Sequence, residues 1–311
     1  MTARQTDWVF HNGDFVHARD LWLGSGPQGL QYGTGAFEGI RSYASITKGA
    51  SLFRAPDHFA RMTNSARFLR MNMTQSVEEL VNVSAELLRR NGHLGDAYVR
   101  PIVYKLALEP GTPFGVRLRG VSSALTIMSL PMGSYIPKGG IRCAVSSWRK
   151  IPGSSLPSAA KLTGAYVSNA IATDEVTSAG YDDAIFLNQA GNVAEASTAN
   201  IFLVRDGGVC TPGLDSDILE GITRNSVMAL LERDLGVTVV ERTVPRYELY
   251  TADEVFLTGT GCEIAPVIEI DGRPVGDGAG GPVTKAVAQA YDRAVRGADK
   301  GHQDWLTGIA V

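Results

Sequence analysis

Lys161 is the residue whose setting most invites covalent chemistry. It stands in Ser158-Ala-Ala-Lys161-Leu-Thr-Gly-Ala-Tyr166, among small and apolar neighbours with no second charge beside it. If such a lysine is buried, desolvation pushes its amine toward the neutral, nucleophilic form that a Schiff base needs. A lysine capping the start of a surface helix would have the same local sequence. Glu195, in Val193-Ala-Glu-Ala-Ser197, is a carboxylate on a strand-like run. Gly221-Ile222-Thr223 opens a helix, and Gly259-Thr260-Gly261 follows a strand. Turns of this kind present backbone N–H groups and a hydroxyl to an anion such as phosphate, or they serve as plain caps.

The elements that must position these groups can be read from periodicity and punctuation. Asn12-Gly13 between Trp8–His11 and Asp14–His17 predicts a β-hairpin. Glycines 33, 35 and 39 thin the backbone beside Tyr32 and Phe37, for a close ligand approach or for a bulge. Pro56 suits the first turn of a helix reaching about Phe68 and carrying Arg61, and Ser76-x-x-Glu79 is a capping box for a second helix ending near Gly92. Strands are expected at about 97–104 and 123–131; period-two alternation puts Tyr98 and Arg100 on one face, where Arg100 requires an anion or carbonyl partner. A helix from the Lys161 region to about Ser178, strands at 184–187 and 200–204, a helix ending at Leu235 and a last helix from about Pro282 to Arg296 complete the chain. The glycine- and proline-rich stretch 132–140 reads as a connector between a small N-terminal α+β domain, 1–131, and a larger C-terminal domain, 141–311.

Composition removes other classes. The 311 residues, 44% hydrophobic and 20% charged, describe a folded globular protein. The net charge of −3, scattered along the chain, leaves no basic footprint for nucleic acid. The sequence lacks a signal-peptide core and any long apolar run, so a cytoplasmic protein without membrane partners is expected. Cys143, Cys210 and Cys262 have no metal-like or redox-like spacing, and the five histidines are isolated, so no metal is expected.

Together, an amine, two phosphate-type turns and a strand-borne carboxylate are the parts needed to hold pyridoxal 5′-phosphate: the carboxylate keeps the pyridine nitrogen protonated so that the ring withdraws electrons. The chain also resembles the branched-chain aminotransferases of the fold-type IV pyridoxal-phosphate enzymes. The likeness runs through Tyr32-Gly-Thr-Gly-Ala-Phe-Glu-Gly-Ile-Arg41, Tyr98-Val-Arg-Pro101, Ser158-Ala-Ala-Lys161, Gly221-Ile-Thr-Arg224, Gly259-Thr-Gly261 and Gly281-Pro-Val-Thr-Lys285. It implies an α+β fold of two α/β domains with the cofactor at their interface, a homodimer or higher homo-oligomer, and ping-pong transfer from leucine, isoleucine or valine to 2-oxoglutarate. Other fold-type IV activities (D-amino acid or amine transaminase, aminodeoxychorismate lyase), a secondary-metabolism aminotransferase and a non-catalytic relative are the alternatives.

By the same resemblance, Lys161 is the Schiff-base lysine and proton shuttle, Tyr166 meets the cofactor's phenolic oxygen and Glu195 its pyridine nitrogen. Arg61, Ile222, Thr223 and Thr260 fall on the phosphate positions. Tyr98 with the backbone at Thr260-Gly261 matches the α-carboxylate site, Tyr32, Phe37, Gly39 and Tyr135 match the apolar pocket, and Arg100 matches the partner of a distal carboxylate. Three departures stand out. Met132 replaces a pocket tryptophan of some bacterial members, the segment 104–115 lacks the family's glycine-rich pattern, and Ala265 replaces the second cysteine of a Cys-x-x-Cys pair begun by Cys262.

Overall fold

Asn12 and Gly13, both with positive φ (49° and 113°), turn strand β1 (Trp8–His11) back onto β2 (Asp14–His17). The computed structural model describes residues 7–46, 49–106, 115–134, 136–137 and 139–309. Its chain divides into two compact units: Met1–Gly133 with Ala160–Ala165 and Ala294–Val311, and Ser134–Ala159 with Tyr166–Arg293. The division falls at 133/134, and two stretches from beyond residue 141, one of them holding Lys161, group with the N-terminal unit.

In the first unit, a short helix α1 (Gln28–Tyr32) precedes β3 (Gly35–Phe37), β4 (Ile40–Ala44) and β5 (Ala50–Phe53). Helix α2 (Ala55–Phe68) carries Pro56 in its first turn. Helix α3 (Val77–Arg90) starts with the reciprocal box of Ser76 and Glu79 that its sequence predicts, and Gly92 follows in the left-handed region. Strands β6 (Ala97–Lys105) and β7 (Ser123–Pro131) pair along their full length. Alternation on β6 buries Ala97, Val99, Pro101 and Val103 and leaves Tyr98 and Arg100 half-buried on the other face. The strand Leu306–Ile309 adds to the edge of this sheet beside β5, which brings the chain's end back to its first unit. Sequence reading missed this strand.

In the second unit, β8 (Ile141–Arg149) leads by a loop to α4 (Tyr166–Ser178), then to β9 (Asp183–Leu187), β10 (Val193–Ala196), β11 (Asn200–Arg205) and β12 (Gly208–Pro212). Helix α5 (Ile222–Arg233), β13 (Val239–Arg242), β14 (Glu254–Gly259), β15 (Glu263–Ile270) and α6 (Pro282–Val295) follow. The sheet order is β10-β9-β8-β15-β14-β11-β12-β13. One face packs Ile185, Ile201, Leu203, Leu257 and Val267 into a core. Buried Glu254 accepts from the backbone N–H groups of Val283 (3.0 Å) and Thr284 (2.7 Å), so a strand carboxylate caps α6. Among the described residues, no helix is long and apolar enough to cross a membrane.

Candidate active site

The segment around Lys161 is stitched to the first unit's sheet. Ala36 and Leu162 form an antiparallel bridge, and the Phe37 N–H donates to the Lys161 carbonyl at 3.1 Å. Thr163 Oγ1 donates to the Gly33 carbonyl (2.7 Å) and accepts from the Gly35 N–H (3.1 Å), while the Lys161 N–H donates to Ser65 Oγ on α2 (3.0 Å). This explains the glycines at 33 and 35. Gly33 adopts φ 66°, and a Cβ there would lie 2.8 Å from Gly164 Cα. They serve the close approach of a distant stretch of backbone. Lys161 Nζ then lies over the Phe37 ring, 5.0 Å from its centroid.

Beneath it is a charged cluster that sequence reading did not assemble. Glu38, fully buried in the turn between β3 and β4, accepts from Arg61 Nε (2.6 Å) and Nη2 (2.9 Å), and His58 Nδ1 lies 2.8 Å from the same carboxylate. His58 and Arg61 are three apart on α2 and so project from one face. Burial alone would raise the Glu38 carboxyl, but the charges and hydrogen bonds of Arg61 and His58 outweigh it and hold the group well below the usual carboxylate range. Burial pushes His58 down, against the pull of Glu38 and with a smaller push from Lys161. The available signal was the His-x-x-Arg spacing on a helix whose start is marked by proline.

Tyr98 and Arg100 share a face of β6 as expected. Among the described residues Arg100 finds neither an anion nor a carbonyl: its Nη2 donates to Tyr98 Oη (2.9 Å), its guanidinium lies over the Phe37 and Tyr98 rings, and its Nε is buried without a hydrogen-bond partner. A buried donor in that state suits a carboxylate ligand. Gly39 runs directly beneath Tyr98, and a Cβ there would meet Tyr98 Oη at 1.9 Å. Met132 is fixed through its backbone, its carbonyl accepting from the buried Arg41 Nη2 (2.7 Å) and its N–H donating to the Asp96 carbonyl (3.0 Å). Phe37 is buried and Tyr32, at the end of α1, is exposed. Tyr135 lies outside the described residues.

The second unit holds the remaining candidates. Glu195 on β10 is buried; Lys150 Nζ contacts its Oε1 (2.6 Å), and Asn200 Nδ2 (3.0 Å) and the Leu219 N–H (3.1 Å) donate to its Oε2. Asn200 Nδ2 also donates to the Leu219 carbonyl (2.9 Å), which ties the carboxylate to the chain entering α5. Gly221 is the N-cap of α5 and provides no side-chain cap; a Cβ there would lie 2.0 Å from Asn200 Oδ1. Ile222 and Thr223 are the first two residues of that helix, whose dipole favours an anion. Thr260 and Gly261, half-buried, form the turn between β14 and β15, and Tyr166 is the first residue of α4. Cys143, Cys210 and Cys262 are free thiols, and burial pushes that of Cys262 up to about 12.

A family model, amino-transferase class IV, matches residues 35–270. The chain is 42% identical to the probable branched-chain-amino-acid aminotransferase of Aquifex aeolicus, over 97% of each chain. Among solved structures, it is similar to the branched-chain aminotransferase of Thermoproteus uzoniensis with norvaline, with TM-score 0.92 and 39% identity, covering 97% of this chain and 99% of that one. It is also similar to the branched-chain amino acid aminotransferase of Thermobaculum terrenum in its PLP-bound holo-form, with TM-score 0.92 and 32% identity, covering 98% of this chain and 99% of that one.

Proposed function

The chain belongs to the class IV aminotransferases, and on that premise we propose that it is a branched-chain-amino-acid aminotransferase that uses pyridoxal 5′-phosphate. It moves the amino group of leucine, isoleucine or valine to 2-oxoglutarate. The carrying observation is near-full-length likeness to relatives of that activity, with the family's lysine pinned beside Phe37. Assembly as a homodimer and residence in the cytoplasm belong to the same reading.

The residues present fit the cofactor: a helix start whose glycine could not carry a Cβ, a buried carboxylate and a lysine held by its backbone. When bound, pyridoxal phosphate supplies an aldehyde carbon to receive the amino group and a cationic ring that withdraws electrons from the substrate Cα. Lys161 would anchor the cofactor covalently and carry the proton from the substrate Cα. Glu195 would accept the pyridine N–H, and Tyr166 would donate to the phenolic oxygen. The amides of Ile222 and Thr223 and the Thr260 hydroxyl would receive the phosphate, and Arg61, held in orientation by Glu38, would balance its charge. Tyr98 and the Thr260-Gly261 backbone bind the α-carboxylate. Tyr32, Phe37, Gly39, Met132 and Tyr135 line the apolar pocket, and Arg100 takes the distal carboxylate of glutamate. A pocket of this kind buries a leucine-like chain and still offers one guanidinium to the second substrate.

Steady-state rates with 2-oxoglutarate and a panel of donors test the reading. The kcat/KM for L-leucine should exceed that for D-alanine or an aromatic amine by about 100-fold or more. A preference for either of those would overturn it. A second reading, an unusual apolar or aromatic donor, is favoured by Met132, whose unbranched thioether adapts to several shapes.

Gly39 offers a sharper test of the substrate side. In Gly39→Ala the new methyl would meet Tyr98 Oη at 1.9 Å and Cζ at 2.7 Å, so the phenol must shift. The kcat/KM for both substrates should fall about 100-fold, while the cofactor's absorption spectrum is retained. Unchanged kinetics would remove Tyr98 from the site.

A further inference from the structure

We propose that Lys150 is a positioning residue that tempers the negative field of Glu195 at the cofactor ring. The inference rests on the assignment of Glu195 to the pyridine nitrogen. Lys150 immediately follows β8, and its backbone is fixed on both sides: its N–H donates to the Leu187 carbonyl (2.9 Å) and its carbonyl accepts from Gln189 Nε2 (3.1 Å). Its ammonium lies 2.6 Å from Glu195 Oε1 and 5.4 Å from the centroid of the Phe186 ring, with 15% of the side chain exposed against 8% for Glu195. At such exposure solvent screens the pair little.

The division of labour on the carboxylate is what gives Lys150 a function. Oε2 takes two neutral donors, Asn200 Nδ2 and the Leu219 N–H, which fix the plane of the group. Oε1 takes the one cation. A carboxylate serving a pyridinium must hold the ring proton in place, and a carboxylate with no counter-charge would set a stronger negative field there. Lys150 draws off part of that charge. It therefore weakens the field that stabilises positive charge on the cofactor, at the ring nitrogen and at the imine nitrogen conjugated with it. Neither Asn200 nor Leu219 can do this, because neither carries a charge.

The experiment is a spectrophotometric pH titration of the visible band of the holoenzyme, with the ¹⁵N resonance of ring-labelled cofactor as second readout. Lys150→Met should move the band's midpoint upward by about one pH unit. Lys150→Arg should bring it back toward wild type, and Glu195→Gln, which removes the carboxylate that holds the ring proton, should displace the midpoint and shift the ring ¹⁵N resonance toward that of a neutral pyridine. A Lys150→Met midpoint equal to wild type, with Glu195→Gln displaced, overturns the role of Lys150 alone. A Glu195→Gln enzyme with unaltered midpoint and ¹⁵N signal overturns the assignment beneath it. If Lys150→Met fails to fold, Lys150→Gln carries the same expectation, and a midpoint unmoved there is equally fatal.

Discussion

Lys161→Ala should lower transamination of leucine by about 10⁴-fold or more while leaving the protein folded. The side chain is the one amine on the stretch bridged to β3, and its backbone bonds to Phe37 and Ser65 do not depend on it. The variant keeps that frame and loses only the amine proposed to anchor the cofactor and move the Cα proton. Two measurements check this. Borohydride treatment should fix a pyridoxyl group on the wild-type chain and not on the variant, and single-turnover reaction with leucine should become the slow step. A variant that kept wild-type turnover would place the catalytic amine elsewhere. An added primary amine should restore a small part of the rate, because the proton transfer then has a base again. Arg61 and His58 would not substitute for it: one is a guanidinium that stays protonated, and the other is turned into Glu38.

The parts of the fold set by neighbours in sequence were legible. The Asn12-Gly13 turn, the Ser76–Glu79 box and the alternation that brings Tyr98 to Arg100 each depend on residues within a few positions, and each stands as read. What escaped depends on chain meeting chain far away. Gly33 and Gly35 are glycine because Gly164 and Thr163 lie against them, 128 residues later in the Gly35–Thr163 bond. No local pattern reports such a contact. The partners of Glu38 stand 20 and 23 residues away, and a buried ion pair leaves no hydrophobic period to detect. Lys150 reads in sequence as one more cation after Arg149, and only the course of β8 and β10 brings it to Glu195. The closing strand Leu306–Ile309, four residues ending in Thr-Gly-Ile, was too short to announce itself. The candidate site residues were proposed from motif order, whereas the backbone contacts that hold Lys161 were not foreseen.

Glu38→Gln should cost about 3 kcal/mol of folding free energy at neutral pH, a large share of a domain's stability. The substitution keeps the shape of the side chain and removes the charge, so the half-buried Arg61 and the buried His58 are left beside a neutral amide that can accept from only one of them well. The sign with pH follows from the depressed carboxyl. A group whose native pKa lies below its unfolded value stabilises fully above the unfolded value, here 4.5, and its contribution is lost as pH falls toward the native one. The part of the gap that comes from the Glu38 charge itself should therefore be constant from about pH 7 down to 4.5 and narrow below it. His58 adds a slope of the same sense in both proteins: below its ordinary value of 6.5 the unfolded chain takes up a proton that the buried ring refuses, so stability falls on the acid side. Urea unfolding across that range, at a fixed cofactor concentration, reads both effects. A gap that stayed fully open as pH fell far below 4.5, or that was absent at about pH 7, would mean that Glu38 is not the charge that Arg61 and His58 hold. The same variant links stability to the proposed function, because Glu38 grips the Nε and Nη2 of Arg61, the residue proposed to meet the phosphate. Weaker cofactor retention in Glu38→Gln, seen as faster release on dilution, is thus expected alongside the lost stability, whereas a purely structural ion pair would lower stability and leave cofactor release unchanged.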